Sequence, residues 1–450
     1  MISIVILAAG KGTRMYSALP KVLHPIAGKP MLSHVIDTAQ SLQPDFLGVV
    51  IGHGKEQVKN AITQNVVWIE QNEQLGTGHA LQCALSSLPQ SGKVLVLYGD
   101  VPLIDQATLQ TLIDTANDKT VSLLTDTLDN PTGYGRIVRK NNVIVGIVEE
   151  KDASATEKAI HEINTGMMVL PYSFLQNGLN LLKNNNAQGE YYLTDMIALA
   201  VAQGLSVQSV AVKEHFQAAG VNNKKQQAEL ERIYQQKQAE NLMSLGVTLL
   251  DPSRIDIRGT LKTGQDVVID VNTVFTGDCV LEDGVQIDAN CVLHNVHIGK
   301  GTHIKAFSHL ENCTIGQEAQ IGPFSRLRPD AVLADHVHIG NFVEIKKSTV
   351  GQGSKVNHLT YIGDTTIGSN SNIGAGTITC NYNGVEKFKT EIGDEVRIGS
   401  GTMLVAPVKV GNRATTGAGS VITKDCPNDK LTLGRARQIT LDAWKRPEKK

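Results

Sequence analysis

From about residue 268 to residue 423 an aliphatic or aromatic side chain returns every six positions. Ile269, Phe275, Leu281, Ile287 and Leu293 keep a strict step of six. After a slip of one the beat resumes at Ile298, Ile304 and Leu310, then at Ile315, Ile321, Leu327, Leu333, Ile339 and Ile345. It runs on through Val350, Val356, Ile362, Ile367 and Ile373, and after an interruption returns at Ile392, Ile398, Leu404 and Val410. Neither a helix, with its period of about 3.6, nor an ordinary strand, with its period of 2, produces such a beat. A solenoid with three short faces per coil does: each hexad supplies one face and its corner, and each coil buries its apolar residues under the next. Glycine often follows the apolar residue, as at Ile298-Gly299, Ile339-Gly340, Ile367-Gly368 and Ile398-Gly399. It suits a corner, where positive φ costs glycine little. The cadence lapses at Thr416, where an aliphatic residue is expected.

The first half follows a different rhythm. Short β-branched runs (Ile2–Leu7, Phe46–Ile51, Val94–Leu97, Val121–Leu124) alternate with helical stretches up to about residue 225, which predicts an α/β sheet. Residues 226–245 contain neither glycine nor proline and carry a partial apolar stripe of Leu230, Ile233, Tyr234, Leu242 and Met243. They predict one connecting helix. Asp251-Pro252 then marks a turn into the solenoid. The expected organisation is therefore a domain over 1–225, a linker helix over 226–245 and a solenoid domain over 246–450.

Composition narrows the chemistry. The 450 residues are 41% hydrophobic, ample for real cores, and a formal net charge of −2 argues for neither nucleic-acid nor membrane binding. Met1 to Ala9 is apolar but short and lacks a basic leader, so it reads as a buried first strand. No stretch approaches the roughly 20 apolar residues of a membrane span. Cys83, Cys279, Cys291, Cys313, Cys380 and Cys426 are dispersed with no CxxC pair, as expected of reduced residues in a cytosolic protein.

The first strand runs into Leu7-Ala8-Ala9-Gly10-Lys11-Gly12-Thr13-Arg14-Met15, followed by Pro20-Lys21. A glycine-containing turn between first strand and first helix is where α/β sheets hold phosphates, through close backbone N–H groups and the helix dipole. Lys11, Arg14 and Lys21 add three cations suited to a triphosphate. A dinucleotide fingerprint would need glycine where Met15 stands, and a Walker loop would need Lys-Ser/Thr after the last glycine, where Thr13 stands. A second small-residue loop spans Gln71 to Ala80, including Gly76 and Thr77. Tyr98-Gly99-Asp100 places a carboxylate just past an apolar strand, a position suited to a magnesium ligand, and Asn222 offers a neutral oxygen to join it.

In the solenoid the informative residues are polar exceptions to the hexad. Arg328 and Lys346 lie eighteen positions apart, one full turn of a three-faced coil, so they stack on one face. Stacked cations call for an anion between them, and a sugar phosphate is one. His358 is the natural general base there, with Asn341 and Glu344 near by and Glu344 a candidate to orient the imidazole. The break after Ile373 contains Asn383-Gly384, a strong turn signal, and reads as a loop that carries Asn381 and Tyr382 over a site. A solenoid serving only as an oligomerising module would have no use for this cluster, and a mere binding scaffold would have none for Asp100 beside Lys21.

The run from Leu7 to Lys21 resembles, nearly letter for letter, the signature LxxGxGTxMxxxxPK of the sugar-nucleotide pyrophosphorylases. The hexads resemble the hexapeptide-repeat acyltransferases, whose left-handed parallel β-helices trimerise. The two together, with "IGPFSRLRP", "GNFVEIKKS", "NHLTYIGD" and "NIGAGTITCNY", resemble the bifunctional enzymes that join an N-acetylglucosamine-1-phosphate uridyltransferase to a glucosamine-1-phosphate N-acetyltransferase. That resemblance implies a cytoplasmic homotrimer using UTP, acetyl-CoA and Mg²⁺ to make UDP-N-acetylglucosamine, with sugar phosphates and nucleotide as its only partners. It implies a Rossmann-like nucleotidyltransferase domain in which Leu7, Ala8, Ala9, Gly10 and Lys21 hold the nucleotide and Arg14 and Lys21 assist catalysis. Gln71 would read the uracil beside Gly76 and Thr77. Tyr98 and Gly99 would line the site, Gly135, Glu149 and Asn164 would bind the sugar, and Asp100 and Asn222 would hold the metal. On the solenoid it implies His358 as base. Arg328, Lys346, Tyr361, Asn372, Asn381 and Tyr382 would lie on the sugar phosphate, and Ala375, Ser400, Ala418 and Arg435 along acetyl-CoA.

Overall fold

The computed structural model describes residues 1–449, which form two compact units meeting in sequence between Tyr234 and Gln235. In the first unit the β-branched runs become one sheet in the order Ser206–Ala211, Thr120–Thr127, Glu162–Pro171, Lys93–Tyr98, Ile2–Leu7, Phe46–Ile51 and Val67–Glu70. Pairing is parallel except for Glu162–Pro171, which runs against both neighbours. A hairpin of Gly135–Lys140 and Val143–Val148 joins the beginning of that reversed strand. Both faces are covered. Val5, Leu7, Val94 and Val96 pack into one buried cluster, whereas Ile4, Ile6, Leu95 and Leu97 pack into another on the opposite face. Such strands read as continuous apolar runs because alternate residues meet different helices.

The loop after the first strand differs from expectation. It leads into a single 3₁₀ turn, Thr13–Met15, and the first α-helix, Met31–Ser41, begins only after a second 3₁₀ turn and the short hairpin of Pro25–Ile26 with Lys29–Pro30. The loop at residues 8–12 therefore does not open directly into a helix. Prolines at 20, 25 and 30 explain the delay, since each disfavours helical backbone in the residue before it.

The helix spans Lys224–Ser244. Leu230, with Ile233 and Tyr234 beside it, packs in the first unit with Met15, Ile26 and Met31. Ala239 and Leu242 belong to the core of the second unit with Val247, Ile255 and Ile257, whereas Met243, expected in the stripe, is exposed.

The second unit is a parallel β-solenoid. Every apolar hexad position named above is buried in one continuous core. Coils advance by 18 residues (Ile269 to Ile287, Leu327 to Ile345) or by 17 (Ile298 to Ile315, Ile345 to Ile362). The slips in cadence are coils one residue shorter. Across residues 380–389 the step becomes 25, with Ile367 over Ile392 and Ile373 over Ile398. Thr379 and Thr416 hold hexad positions and are buried. Their hydroxyls are satisfied: Thr379 accepts from the Gly363 N–H at 2.8 Å and Thr416 from the Gly399 N–H at 3.0 Å. All six cysteines are free. No helix among the described residues is long and apolar enough to cross a membrane.

Candidate active sites

In the first unit, register brings the predicted loops together. Leu7 pairs with Tyr98, so Ala8–Gly10 and Gly99-Asp100 leave the carboxyl ends of adjacent central strands. The Gln71 N–H reaches Ile51 at the end of the next strand over. This is the crevice in which open α/β sheets bind ligands. A cavity of about 450 Å³ opens there, its wall including Leu7, Ala8, Ala9, Gly10, Lys11, Lys21, Gln71, Gly76, Thr77, Tyr98 and Asp100. Gly12 has φ +60, and a Cβ on it would lie 2.5 Å from Cβ of Lys21. Glycine there lets the loop fold onto the lysine.

Lys21 is the hub. Its ammonium pairs with Asp100 Oδ2 and donates to Asn222 Oδ1 at 2.8 Å. Arg14 donates to the same Asn222 oxygen at 2.9 Å. Asn222 is itself held by Gln226, which accepts from its backbone N–H at 2.8 Å. The two residues suggested as metal ligands, 122 positions apart in sequence, thus converge on one positive charge. Their donor set is carboxylate and carboxamide oxygen, which fits a hard divalent cation. No cluster of three or more His, Cys, Asp or Glu suited to a metal occurs among the described residues, so the remaining coordination would fall to phosphate and water.

The residues expected to meet the sugar gather around the hairpin. Asn164 pairs directly with Gly135. A Cβ on Gly135 would lie 3.4 Å from both carboxylate oxygens of Glu149. The strand bulges between Asn164 and Met168, and Asn164 Oδ1 accepts from the Gly166 N–H at 3.1 Å. Burial pushes the Glu149 carboxyl above the usual carboxylate range. Asp195 and Asp152 add to the shift, and the Thr194 hydroxyl, donating at 2.9 Å, offsets part of it. Burial likewise raises the Tyr98 phenol, with Glu149 and Asp100 adding to it, so it stays a neutral donor.

The raised Glu149 pKa has a stability consequence. Its contribution is complete below the ordinary glutamate value of about 4.3 and is lost as pH rises through the higher folded value. Glu149→Gln should therefore unfold at a higher temperature than the parent at pH 7 to 8, with the gap closing towards pH 4. Thermal melts across that range check this; a variant less stable than the parent at pH 8 would contradict it.

On the solenoid, Leu327 lies under Ile345, which places Arg328 one coil below Lys346. The structure supplies one of the expected anions itself. Glu344 accepts from Arg328 Nη1 at 2.7 Å, and this pairing raises the Arg328 pKa. Glu344 therefore does not orient His358. Asn341 does: it pairs with His358 in register, and its Oδ1 lies 3.2 Å from His358 Nδ1. A carboxamide oxygen only accepts, so the proton resides on Nδ1 and Nε2 keeps its lone pair.

The loop at 380–389 is a small hairpin. Tyr382 bridges Lys387, and Asn383 Oδ1 accepts from the N–H groups of Val385 and Glu386. Asn381 is buried and donates to Asp364 at 2.6 Å, whereas Tyr382 is exposed. Lys387 closes on Lys346 and, with Arg328, holds it below the ordinary lysine range. Three cations crowd one spot, with Glu344 and Asp364 as nearby counter-charges. Tyr361 stands over Glu344 on this face. Asn372 does not: it aligns with Lys355 and Arg397 on the preceding face. Ala375, Ser400 and Ala418 form a column, linked by Gly401 N–H to Ala375 O and Gly419 N–H to Ser400 O, both at 2.7 Å. Arg435 donates to Ala418 O at 2.9 Å. The column continues down to His358, whose carbonyl accepts from Gly376 at 3.0 Å. Sequence reasoning missed Glu190 in the cavity wall and Lys387. Only the position of Lys387, inside the interruption, could have flagged it.

Comparison with known proteins agrees with both halves. The MobA-like NTP transferase domain matches residues 4–140, the bacterial transferase hexapeptide (six repeats) residues 278–312, and the GMPPB C-terminal domain residues 309–414. Fold and sites thus define a nucleotidyltransferase joined to a hexapeptide-repeat transferase. Curated relatives named bifunctional protein GlmU align end to end. That of Chromobacterium violaceum is 60% identical over 451 residues, covering 100% of this chain and 99% of the relative. That of Neisseria meningitidis serogroup B is 60% identical over 449 residues, covering 100% and 98%. That of Acinetobacter baumannii is 54% identical over 448 residues, covering 99% of each. The chain belongs to the GlmU family and is a bifunctional transferase.

Proposed function

We propose that the solenoid acetylates glucosamine-1-phosphate from acetyl-CoA and that the N-terminal unit then transfers uridylyl from UTP onto N-acetylglucosamine-1-phosphate, releasing pyrophosphate. The observation that carries this reading is the presence of two polar constellations in a chain that bifunctional relatives match end to end. One is Lys21, Asp100 and Asn222 in a phosphate-loop cavity; the other is an Asn341-oriented His358 on the same stretch of coils as the Arg328, Lys346 and Lys387 cluster.

In the N-terminal unit, Ala8–Gly10 and Lys21 hold the triphosphate, and Gln71, Gly76 and Thr77 meet the uracil. Gly135, Glu149, Asn164 and Tyr98 meet the sugar. The sugar phosphate attacks the α-phosphorus in line, and Arg14 and Lys21 balance the charge gathering on the departing pyrophosphate. Asp100 and Asn222 would hold Mg²⁺, which when bound neutralises phosphate charge. Lys21, which pairs with Asp100 and Asn222, lines the same cavity and can reach phosphate oxygens from there.

On the solenoid, Arg328, Lys346 and Tyr361 take the sugar phosphate, and Asn381 and Tyr382 flank the reacting centre. The amine attacks the thioester carbonyl, His358 Nε2 takes the proton released, and the CoA sulfur leaves as the amide forms. Pantetheine lies along the column of Ala375, Ser400 and Ala418, with Arg435 towards the CoA phosphates. Incubation with glucosamine-1-phosphate, acetyl-CoA, UTP and Mg²⁺, omitting one at a time, tests the scheme by mass spectrometry. UDP-N-acetylglucosamine should require all four.

A homotrimer with sites shared between chains completes the reading, as does a cytoplasmic location. Asn372 supports sharing, since it stands on a different face from Arg328 within one chain. A three-faced prism suits cyclic closure. Sedimentation should give a species of three 48.4 kDa chains. A monomer that still acetylates would exclude shared sites.

A further inference from the structure

Gln71 is buried against the helix Thr77–Ala84, and its amide nitrogen lies 3.2 Å from Gly76 O and 3.0 Å from His79 Nδ1. A carbonyl oxygen can only accept, so the nitrogen of the amide, not its oxygen, must face Gly76. The second amide hydrogen then goes to His79 Nδ1, which must carry a lone pair. The ring proton sits on Nε2, 3.9 Å from Cys83 Sγ one helical turn further on. Both amide hydrogens are consumed. Gln71 Oε1 keeps no protein partner among the described residues, on a side chain that lines the nucleotide cavity.

We infer that His79 sets the base specificity of the nucleotide site by locking the Gln71 amide with its oxygen towards the pyrimidine. The inference rests on the reading of Gln71 as the residue that meets the base. Uracil presents N3–H, a donor that Oε1 accepts. Cytosine presents a bare N3, whose lone pair would face the lone pairs of Oε1. A flipped Gln71 would present N–H instead and favour cytosine. Gly76 opposes the flip because its carbonyl would meet another oxygen, and His79 opposes it while its ring proton stays on Nε2 beside Cys83 Sγ, because the Nδ1 lone pair would then meet an oxygen too. Of the two, only His79 is a side chain, so the lock can be removed without touching the backbone. His79 acts through Gln71 and is a positioning residue.

The test compares steady-state uridyl and cytidyl transfer by the full-length enzyme with UTP and CTP. His79→Leu removes the acceptor. The UTP:CTP ratio of kcat/KM should fall about tenfold, the worth of one hydrogen bond. The fall should come from KM, with kcat for UTP within about threefold of the parent, as expected when uniform binding is lost. His79→Asn, whose Oδ1 replaces Nδ1 as acceptor, should restore most of the ratio. A merely structural role would lower kcat for both nucleotides and leave the ratio unchanged; that result with His79→Leu, or with His79→Ala should the leucine variant not fold, overturns the inference. Gln71→Ala separates the two readings. If it leaves the ratio intact, Gln71 does not read the base. If it collapses the ratio while His79→Leu does not, only the role of His79 fails.

Discussion

His358→Ala should lose acetyl transfer by about 10²- to 10⁴-fold, the usual cost of a general base, while glucosamine-1-phosphate still binds. The expectation follows from the tautomer. Asn341 takes the proton-bearing Nδ1 and leaves Nε2 as the acceptor, at the foot of the column from Ala375 to Ala418. Uridyl transfer from supplied N-acetylglucosamine-1-phosphate should be untouched, because its chemistry lies in the other unit. Two results would count against the assignment. Acetylation above about a tenth of the parent rate would be milder than base removal allows, and the base would then lie elsewhere. Loss of both activities together would mean that the substitution damages the fold.

Asp100→Ala should abolish uridyl transfer and leave acetyl transfer near the parent level. Here the geometry makes the change severe. Asp100 and Asn222 together face the Lys21 ammonium, so removing the carboxylate takes away an oxygen donor and also frees Lys21 from its partner. A loss of at least about 10²-fold is expected where preorganised charge at a phosphoryl site is disturbed. Raising Mg²⁺ should recover little. Uridyl transfer within about threefold of the parent would be too small for such a disturbance, and would remove Asp100 from the metal site.

Much of the solenoid was legible in the sequence because its stability is nearly one-dimensional. A hexad residue such as Ile321 or Val356 meets only its own coil and the two beside it, so local spacing carries the architecture. Thr416 broke the visible cadence yet keeps its place, since a backbone N–H of the coil below satisfies its hydroxyl. The phosphate loop was legible as a motif but not as a shape: its glycines suggested a helix start, whereas the prolines at 20, 25 and 30 postpone the helix to Met31. Within the sites, partnerships set by register or by folding between distant segments were hidden. Glu344 was the expected imidazole partner, but in the stacked coils Arg328 takes it and Asn341 meets His358 instead. Thr194 under Glu149, 45 positions away, has no local signature.

The interruption at residues 380–389 adds eight residues to a coil, a step of 25 in place of 17, yet the coils on either side remain aligned residue for residue. Because the excess leaves and re-enters at one corner, its length is decoupled from the frame that carries it, and loop entropy rises only slowly with length. The loop is thus a natural cassette. If Asn381 and Tyr382 flank the reacting centre as proposed, grafting a longer or shorter hairpin between Thr379 and Thr390 should change which acceptor amines the enzyme tolerates while leaving Asn341, His358 and the column from Ala375 to Ala418 where they are. That makes this corner a starting point for redesigning acyl-acceptor range without re-engineering the scaffold.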